Sequence, residues 1–251
     1  MIDLHSHILP GVDDGARTLE DAIEIARSAV ADGIEVIAAT PHVRDDHPTT
    51  PEVMEQGVGE LRRALAQAGV ELDVRKGGEI SSEWLARLAP DDLRRFGLGG
   101  NPGYLLVECP YYDWPIGFDQ QLFLLKAGGC TPVLAHPERN ADVVASPERL
   151  RPLVQGGALV QVTAASLDGR LGRGRRDCGL ELVDAGLAHL LASDAHHASI
   201  REIGMSAAAE AIGDEALARW LSVEVPGAII AGRPLPDRPA KRRRSWLRRG
   251  Y

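Results

Sequence analysis

Seven short apolar runs, separated by longer amphipathic stretches, organise the chain. Residues 2–4, 34–39, 70–75, 104–107, 131–135, 158–162 and 188–192 read as buried strands, because each is too short for a helix and is bounded by glycine, proline or polar turns. Between them the apolar positions recur at helical spacing. Thr18-Leu19-Glu20-Asp21 resembles a capping box with Asp in place of Glu, and it opens a helix whose stripe is Leu19, Ile23, Ala26 and Val30, ending near Gly33. Thr50-Pro51 supplies an N-cap and a first-turn proline for a helix running to Gly69. A looser helical stretch covers 84–95, and further helices are expected over 119–128 and 177–185, from Ser146-Pro147 to Gly156, and in one or two pieces closing near Gly232.

Strand and helix thus alternate seven times without an internal linker or repeat, which predicts an α/β protein with a closed or nearly closed parallel barrel. A chain of 251 residues suits one such domain. We place it at 1–234, followed by a tail, 235–251, too rich in charge and proline to bury much and expected to be disordered.

Composition narrows the class. The net charge is −8, but residues 238–251 hold seven Lys or Arg and no acid, leaving 21 basic against 36 acidic residues, or −15, on the rest. Nucleic acid is therefore not an expected partner; an anionic membrane or an acidic protein would suit the tail alone. Three widely spaced cysteines argue for a reducing compartment rather than a disulfide framework. With no 20-residue apolar span and a start that leads straight into a strand, we expect a cytoplasmic protein.

The chemistry lies where the strands end. His5 and His7, two apart, leave the first strand on one side, and Asp13-Asp14 returns after a turn. His42, Glu79, Glu108 and His136 follow the next four strands, and Asp194 and His196 the last. In an α/β barrel these ends converge on one face. Asp14 included, nine nitrogen and oxygen donors exceed one coordination shell and predict two or three divalent ions, of which manganese, iron or zinc fit a thiolate-free set.

HSHILPGVDDGA at 5–16, ATPH at 39–42, GGEI at 77–80, LLVE at 105–108, LAHPER at 134–139 and SDAH at 193–196 make the chain resemble the PHP-domain (polymerase and histidinol phosphatase) family. Within it, the resemblance is to the bacterial metal-dependent protein-tyrosine phosphatases of capsule biosynthesis, and it extends to about residue 232. It implies a distorted (β/α)7 TIM-like barrel with a trinuclear site, manganese being the expected metal. His5, His7, Glu79 and Asp194 would hold one ion, Asp14, His42 and His196 a second, and Glu79 (bridging), Glu108 and His136 a third. PHP relatives outside this branch often have histidine where Asp14 and Glu108 stand, so these carboxylates favour the tyrosine-phosphatase branch. The family also places phosphate-binding arginines at Arg139 and Arg201. With His42 these are the catalytic residues we expect.

A water shared by two divalent cations loses its proton near neutral pH and becomes a nucleophile, while arginine clamps the phosphate. The substrate implied is a phosphotyrosine protein, a bacterial tyrosine kinase of capsule or exopolysaccharide synthesis; an oligomer is possible. The alternatives are a small-molecule phosphatase, such as one for histidinol phosphate, and a non-catalytic metal-binding regulator. A cysteine mechanism is excluded by spacing: the residues six after Cys109, Cys130 and Cys178 are Pro115, His136 and Asp184, none an arginine. Tyr111-Tyr112-Asp113-Trp114 is expected either to flank the substrate or to pack on the barrel rim. Arg44, Asp45 and Asp46 are expected in a solvated loop, and His47, His189 and His197 outside the ligand set.

Overall fold

The computed structural model describes residues 1–197 and 203–240. Ten strand segments occur there: β1 Ile2–Ser6, β2 Val36–Ala39, β3 His42–Arg44, β4 His47–Pro48, β5 Asp73–Lys76, β6 Glu79–Ile80, β7 Tyr104–Glu108, β8 Thr131–Ala135, β9 Leu159–Thr163 and β10 Leu190–Ala192. β2 and β3 are two halves of one stave, as are β5 and β6, so parallel pairing runs β1, β2/β3, β5/β6, β7, β8, β9, β10. The ring closes at the strand ends. Ser6 pairs in parallel with Ala195, His7 N–H donates to Ala195 O at 2.8 Å, and Asp194 N–H donates to His5 O at 2.9 Å. The expected seven-stave barrel is therefore present, with β4 added as a short antiparallel hairpin on β3.

The distortion has local causes. After β2 the chain breaks at Thr40-Pro41, where Pro41 has no N–H to give the ladder. After β5 it breaks at Gly77-Gly78; a Cβ on Gly78 would lie 2.5 Å from the Phe96 ring and one on Gly77 2.9 Å from Thr40, so only glycine lets these staves turn in against their neighbours. The halves beyond the breaks pair in register, His42 opposite Glu79.

The helix Leu19–Ala31 has the expected reciprocal capping box between Thr18 and Asp21. Its buried face differs from the predicted stripe. Ala22, Ile25, Ala26 and Ala29 face inward, and Leu19 and Val30 are each 40% exposed, because the small alanines let the helix approach the barrel closely. Thr50 caps Pro51–Gln67 as predicted. Ser146 makes no side-chain cap and precedes a 3-10 turn, Pro147–Leu150, before the helix Arg151–Gln155; the cap in this region is Asn140, whose Oδ1 accepts from Asp142 N and Val143 N at the start of Ala141–Ala145. The loose stretch resolves into Ser82–Leu85 and Pro90–Arg95, and the last helices into Met205–Ile212, Glu215–Arg219 and Val225–Ala231, with a π-helical turn at Trp220–Glu224.

Past the division placed at 234, the described residues remain on the body. Trp220 Nε1 donates to Pro236 O at 3.1 Å, and the Arg238 guanidinium donates to Ala188 O at 3.1 Å and Val183 O at 2.5 Å. No helix among the described residues is long and apolar enough to cross a membrane.

Candidate metal centre

The C-terminal ends of the staves deliver their side chains to one place. His5 and His7 Nε2 lie 3.2 Å apart. Glu79 sits beneath them: its Oε2 is 3.4 Å from both Nε2 atoms and 2.9 Å from His42 Nδ1, and its Oε1 is 2.8 Å from His136 Nε2. Asp194 Oδ1 is 3.5 Å from His5 and His7 Nε2, and Asp14 Oδ1 is 3.4 Å from His42 and His196 Nε2. All these residues are buried except Asp14, whose side chain is 45% exposed at the mouth, and Glu108, at 12%.

Donor atoms within 4.8 Å of one another form four overlapping groups: His7, Asp14, His42 and His196; His5, Glu79 and His136; His5, His7 and Asp194; His42, Glu79 and Glu108. All nine expected ligands are brought together. The grouping differs from the implied one at several points: His7 also falls with Asp14, His42 and His196, His5 joins Glu79 and His136, His42 joins Glu79 and Glu108, and Glu79 shares no group with His7 and Asp194. Glu108 and His136 do not share a group; each meets Glu79 separately, His136 beside His5 and Glu108 beside His42.

The donors fit cations on their own chemistry. His42 Nδ1, Glu79 Oε2 and His136 Nδ1 are buried without a hydrogen-bond partner, although the first two atoms are 2.9 Å apart. Buried polar atoms left in this state are costly, and a coordinated ion satisfies imidazole and carboxylate together. His136 and Asp194 have φ of 38° and 53°. Left-handed backbone is uncommon at non-glycine residues and concentrates at functional sites; here it turns both side chains into the centre as β8 and β10 end.

A second layer aims the histidines. His7 Nδ1 is 2.7 Å from Asp13 Oδ2, His5 Nδ1 2.9 Å from Gln161 Oε1, and His196 Nδ1 2.9 Å from Asp194 O. Donation through Nδ1–H leaves Nε2 of each as a lone-pair donor, the arrangement that orients metal-binding imidazoles. Sequence reasoning missed Asp13 and Gln161. Gln161 lies on β9, the one stave without a predicted ligand, and it also accepts from His136 N–H at 3.2 Å. For Asp13 the available signal was a carboxylate one residue before a predicted ligand.

Charge within the cluster follows from burial set against pairing. Burial would lower the His42 imidazole, but the Glu79 carboxylate prevails and raises it to about 9. Burial likewise opposes protonation of His7, and Asp13 overcomes it, holding His7 well above the usual range while Asp13 falls to about 2. Burial, with no pairing strong enough to offset it, pushes His136 down to about 4. Burial and then the charge of Glu79 push Glu108 up to about 7.

Arg139 stands at the edge of this centre, its Nη1 2.5 Å from Asp194 Oδ2 and its guanidinium 4.4 Å from the Tyr111 ring centroid. Tyr111 in turn lies 5.7 Å from the His136 ring, so the aromatic segment reaches the site. Arg201 lies outside the described residues. Arg44, expected in a solvated loop, instead enters the mouth: its Nη1 donates to Glu108 Oε1 at 2.9 Å and its Nη2 is 3.8 Å from Asp14 Oδ2, because β3 continues past His42 and carries it inward. Asp45 stays exposed and holds Trp84 and Arg87. His189 lies away from the centre, beside Trp220.

A distorted (β/α)7 barrel whose strand ends gather five histidines and four carboxylates defines the donor set of a divalent-metal protein. The chain belongs to the capsular polysaccharide synthesis CpsB/CapC family, whose model matches residues 1–230. It is 38% identical over 203 residues to the tyrosine-protein phosphatase YwqE of Bacillus subtilis, covering 80% of this chain and 79% of that one. It is 26% identical over 245 residues to the tyrosine-protein phosphatase CpsB of Streptococcus pneumoniae, covering 92% and 98%. A solved structure from work on these two proteins, described as metal-dependent tyrosine phosphatases, matches with a TM-score of 0.85 at 35% identity, over 96% of this chain and all of the other.

Proposed function

We propose that this chain is a metal-dependent protein-tyrosine phosphatase that acts in the cytoplasm on a tyrosine kinase of capsule or exopolysaccharide synthesis. The observation that carries the reading is Glu79, one buried carboxylate common to two of the four donor groups and within 3.4 Å of four histidines. The nine donors would hold two or three ions, manganese first among them, and such ions supply an activated water and electrophilic contacts for phosphoryl oxygens. Arg139 is poised to clamp the phosphate from beside Asp194, its planar fork matching phosphate geometry. Arg44 screens the carboxylates of Glu108 and Asp14 at the mouth, which reduces their repulsion of an anionic substrate. Tyr111 offers an aromatic face beside the centre for the substrate phenyl ring. The leaving phenolate has a parent pKa near ~10, so a strong general acid is not essential.

The test is a panel of phosphotyrosyl peptide, phosphoseryl peptide and histidinol phosphate assayed with manganese. Turnover led by the phosphotyrosyl peptide is expected. Turnover led by histidinol phosphate would make the protein a small-molecule phosphatase, and hydrolysis of none would make it a metal-binding regulator.

A further inference from the structure

Beside the metal centre lies a second concavity, of about 420 Å³. Tyr111, Tyr112, Arg139 and residues 171–175 line it. Arg139 therefore belongs to both places: it bonds Asp194 in the metal centre and stacks on Tyr111 in the cavity wall. Among the described residues no acidic side chain lines the cavity, whereas Arg139, Arg173 and Arg175 do. Arg173 is 92% exposed and pairs with the exposed Asp177 carboxylate at 3.5 Å, and Arg175 donates to Leu171 O at 3.0 Å. Tyr112, also in the lining, is 80% exposed. Outside the terminal tail the chain is strongly acidic, so a basic cleft beside the centre runs against the charge of the body.

Arg139 and Tyr111 border both places, so a peptide that leaves the centre on this side passes over the cavity. We infer that the cavity is a subsite for the substrate residue flanking the phosphotyrosine, and that it takes an acidic side chain paired by Arg173 and Arg175. Two exposed guanidiniums at a partly open site suit a carboxylate and repel a lysine, giving selectivity among peptides rather than chemical rate. The inference rests on the phosphatase reading above and deepens it.

The experiment measures kcat/KM, with manganese, for two phosphotyrosyl peptides that differ only in having Asp and Glu, or Asn and Gln, beside the phosphotyrosine. The wild-type protein is expected to favour the acidic peptide by roughly three- to tenfold at low salt, with the preference shrinking as salt rises. Arg173→Ala with Arg175→Ala should bring the ratio near one, and Arg173→Glu with Arg175→Glu should invert it. The ratio is internal to each variant, so a general loss of activity does not imitate the effect. Equal rates for both peptides in the wild type, or a preference that survives charge reversal, would overturn the subsite while leaving the phosphatase reading intact. If neither peptide is hydrolysed by the wild type, the phosphatase reading fails and the subsite falls with it.

Discussion

His7 donates from Nδ1 to Asp13 Oδ2 across 2.7 Å, and the same carboxylate oxygen accepts from the His42 backbone N–H at 2.9 Å. One side chain thus sets the ring of one donor and the backbone of another. The turn carrying it is tightly fitted: a Cβ on Gly15 would lie 2.0 Å from His7 O. Asp13→Ala should weaken metal affinity by roughly ten- to a hundredfold, the usual effect of losing a carboxylate behind a ligating histidine. Manganese titration of the purified variant measures it. Wild-type affinity would show that Asp13 has no part in aiming His7.

Glu79 is the donor whose removal should cost most. Truncating it leaves His5, His42 and His136 facing one another without their common carboxylate, whereas Asp14 belongs to one group at the half-exposed mouth. Glu79→Ala is expected to reduce turnover by at least about a hundredfold even at saturating manganese, with fewer ions bound by elemental analysis. Asp14→Ala should retain more of both. Wild-type rates in the Glu79 variant would remove it from the ligand set.

Arg139→Ala should keep the metals and lose rate. A charge-assisted contact to phosphate is worth roughly 1.5–3 kcal/mol, about ten- to a hundredfold in kcat/KM. Because Arg139 also bonds Asp194, elemental analysis must accompany the kinetics. Unchanged kinetics with the full metal complement would place the phosphate clamp elsewhere.

The legible parts of the sequence were those governed by local rules. Period-two alternation put His5 and His7 on one side, and the ends of short apolar runs located His42, Glu79, Glu108, His136, Asp194 and His196. Thr18 and Thr50 cap as expected because capping needs only neighbours. What escaped depends on distant partners. The inward face of Leu19–Ala31 is set by how closely the barrel lets alanines approach, not by the largest apolar residues. Gln161 orients His5 from 156 positions away, and Glu108 falls in with His42 rather than His136 because β6 and β7 fix its neighbours. Arg44 reads as a loop residue until β3 is seen to continue past His42.

At the opposite end of β10, stability should depend on pH through His189. Burial first, and then the Arg238 guanidinium, push its imidazole down to about 4, while its Nδ1 accepts from Val160 N–H at 3.3 Å. An acceptor nitrogen must be unprotonated, so the folded protein holds this histidine neutral. In the unfolded chain it titrates near ~6.5. Between those values the unfolded state binds more protons, so stability rises with pH across that window and is flat above it. Roughly 2–3 kcal/mol is lost as pH falls from 6.5 to 4. Urea melts of wild type and His189→Gln in EDTA isolate this contribution from metal loss. Equal slopes for the two proteins would remove His189 as the cause.

Chelation and thiol alkylation should separate this mechanism from a cysteine one. Burial pushes the thiol of Cys130 up to about 11 and that of Cys178 to about 12, and Cys109 is raised further by burial and the nearby Glu138 and Glu108 carboxylates. At pH 8 the most accessible of them, Cys130, is then thiolate in about one molecule in a thousand, and alkylating agents react with thiolate. None of the three contributes to the donor groups. EDTA should therefore abolish phosphotyrosine hydrolysis, with activity returning on addition of manganese, which ties the loss to the nine donors rather than to unfolding. Iodoacetamide at pH 8 should leave the rate within about twofold, with mass spectrometry reporting how much thiol has reacted. Alkylation that stops turnover while the metals stay bound, or full activity in EDTA with the metals shown to be gone, would place the nucleophile outside the histidine–carboxylate centre.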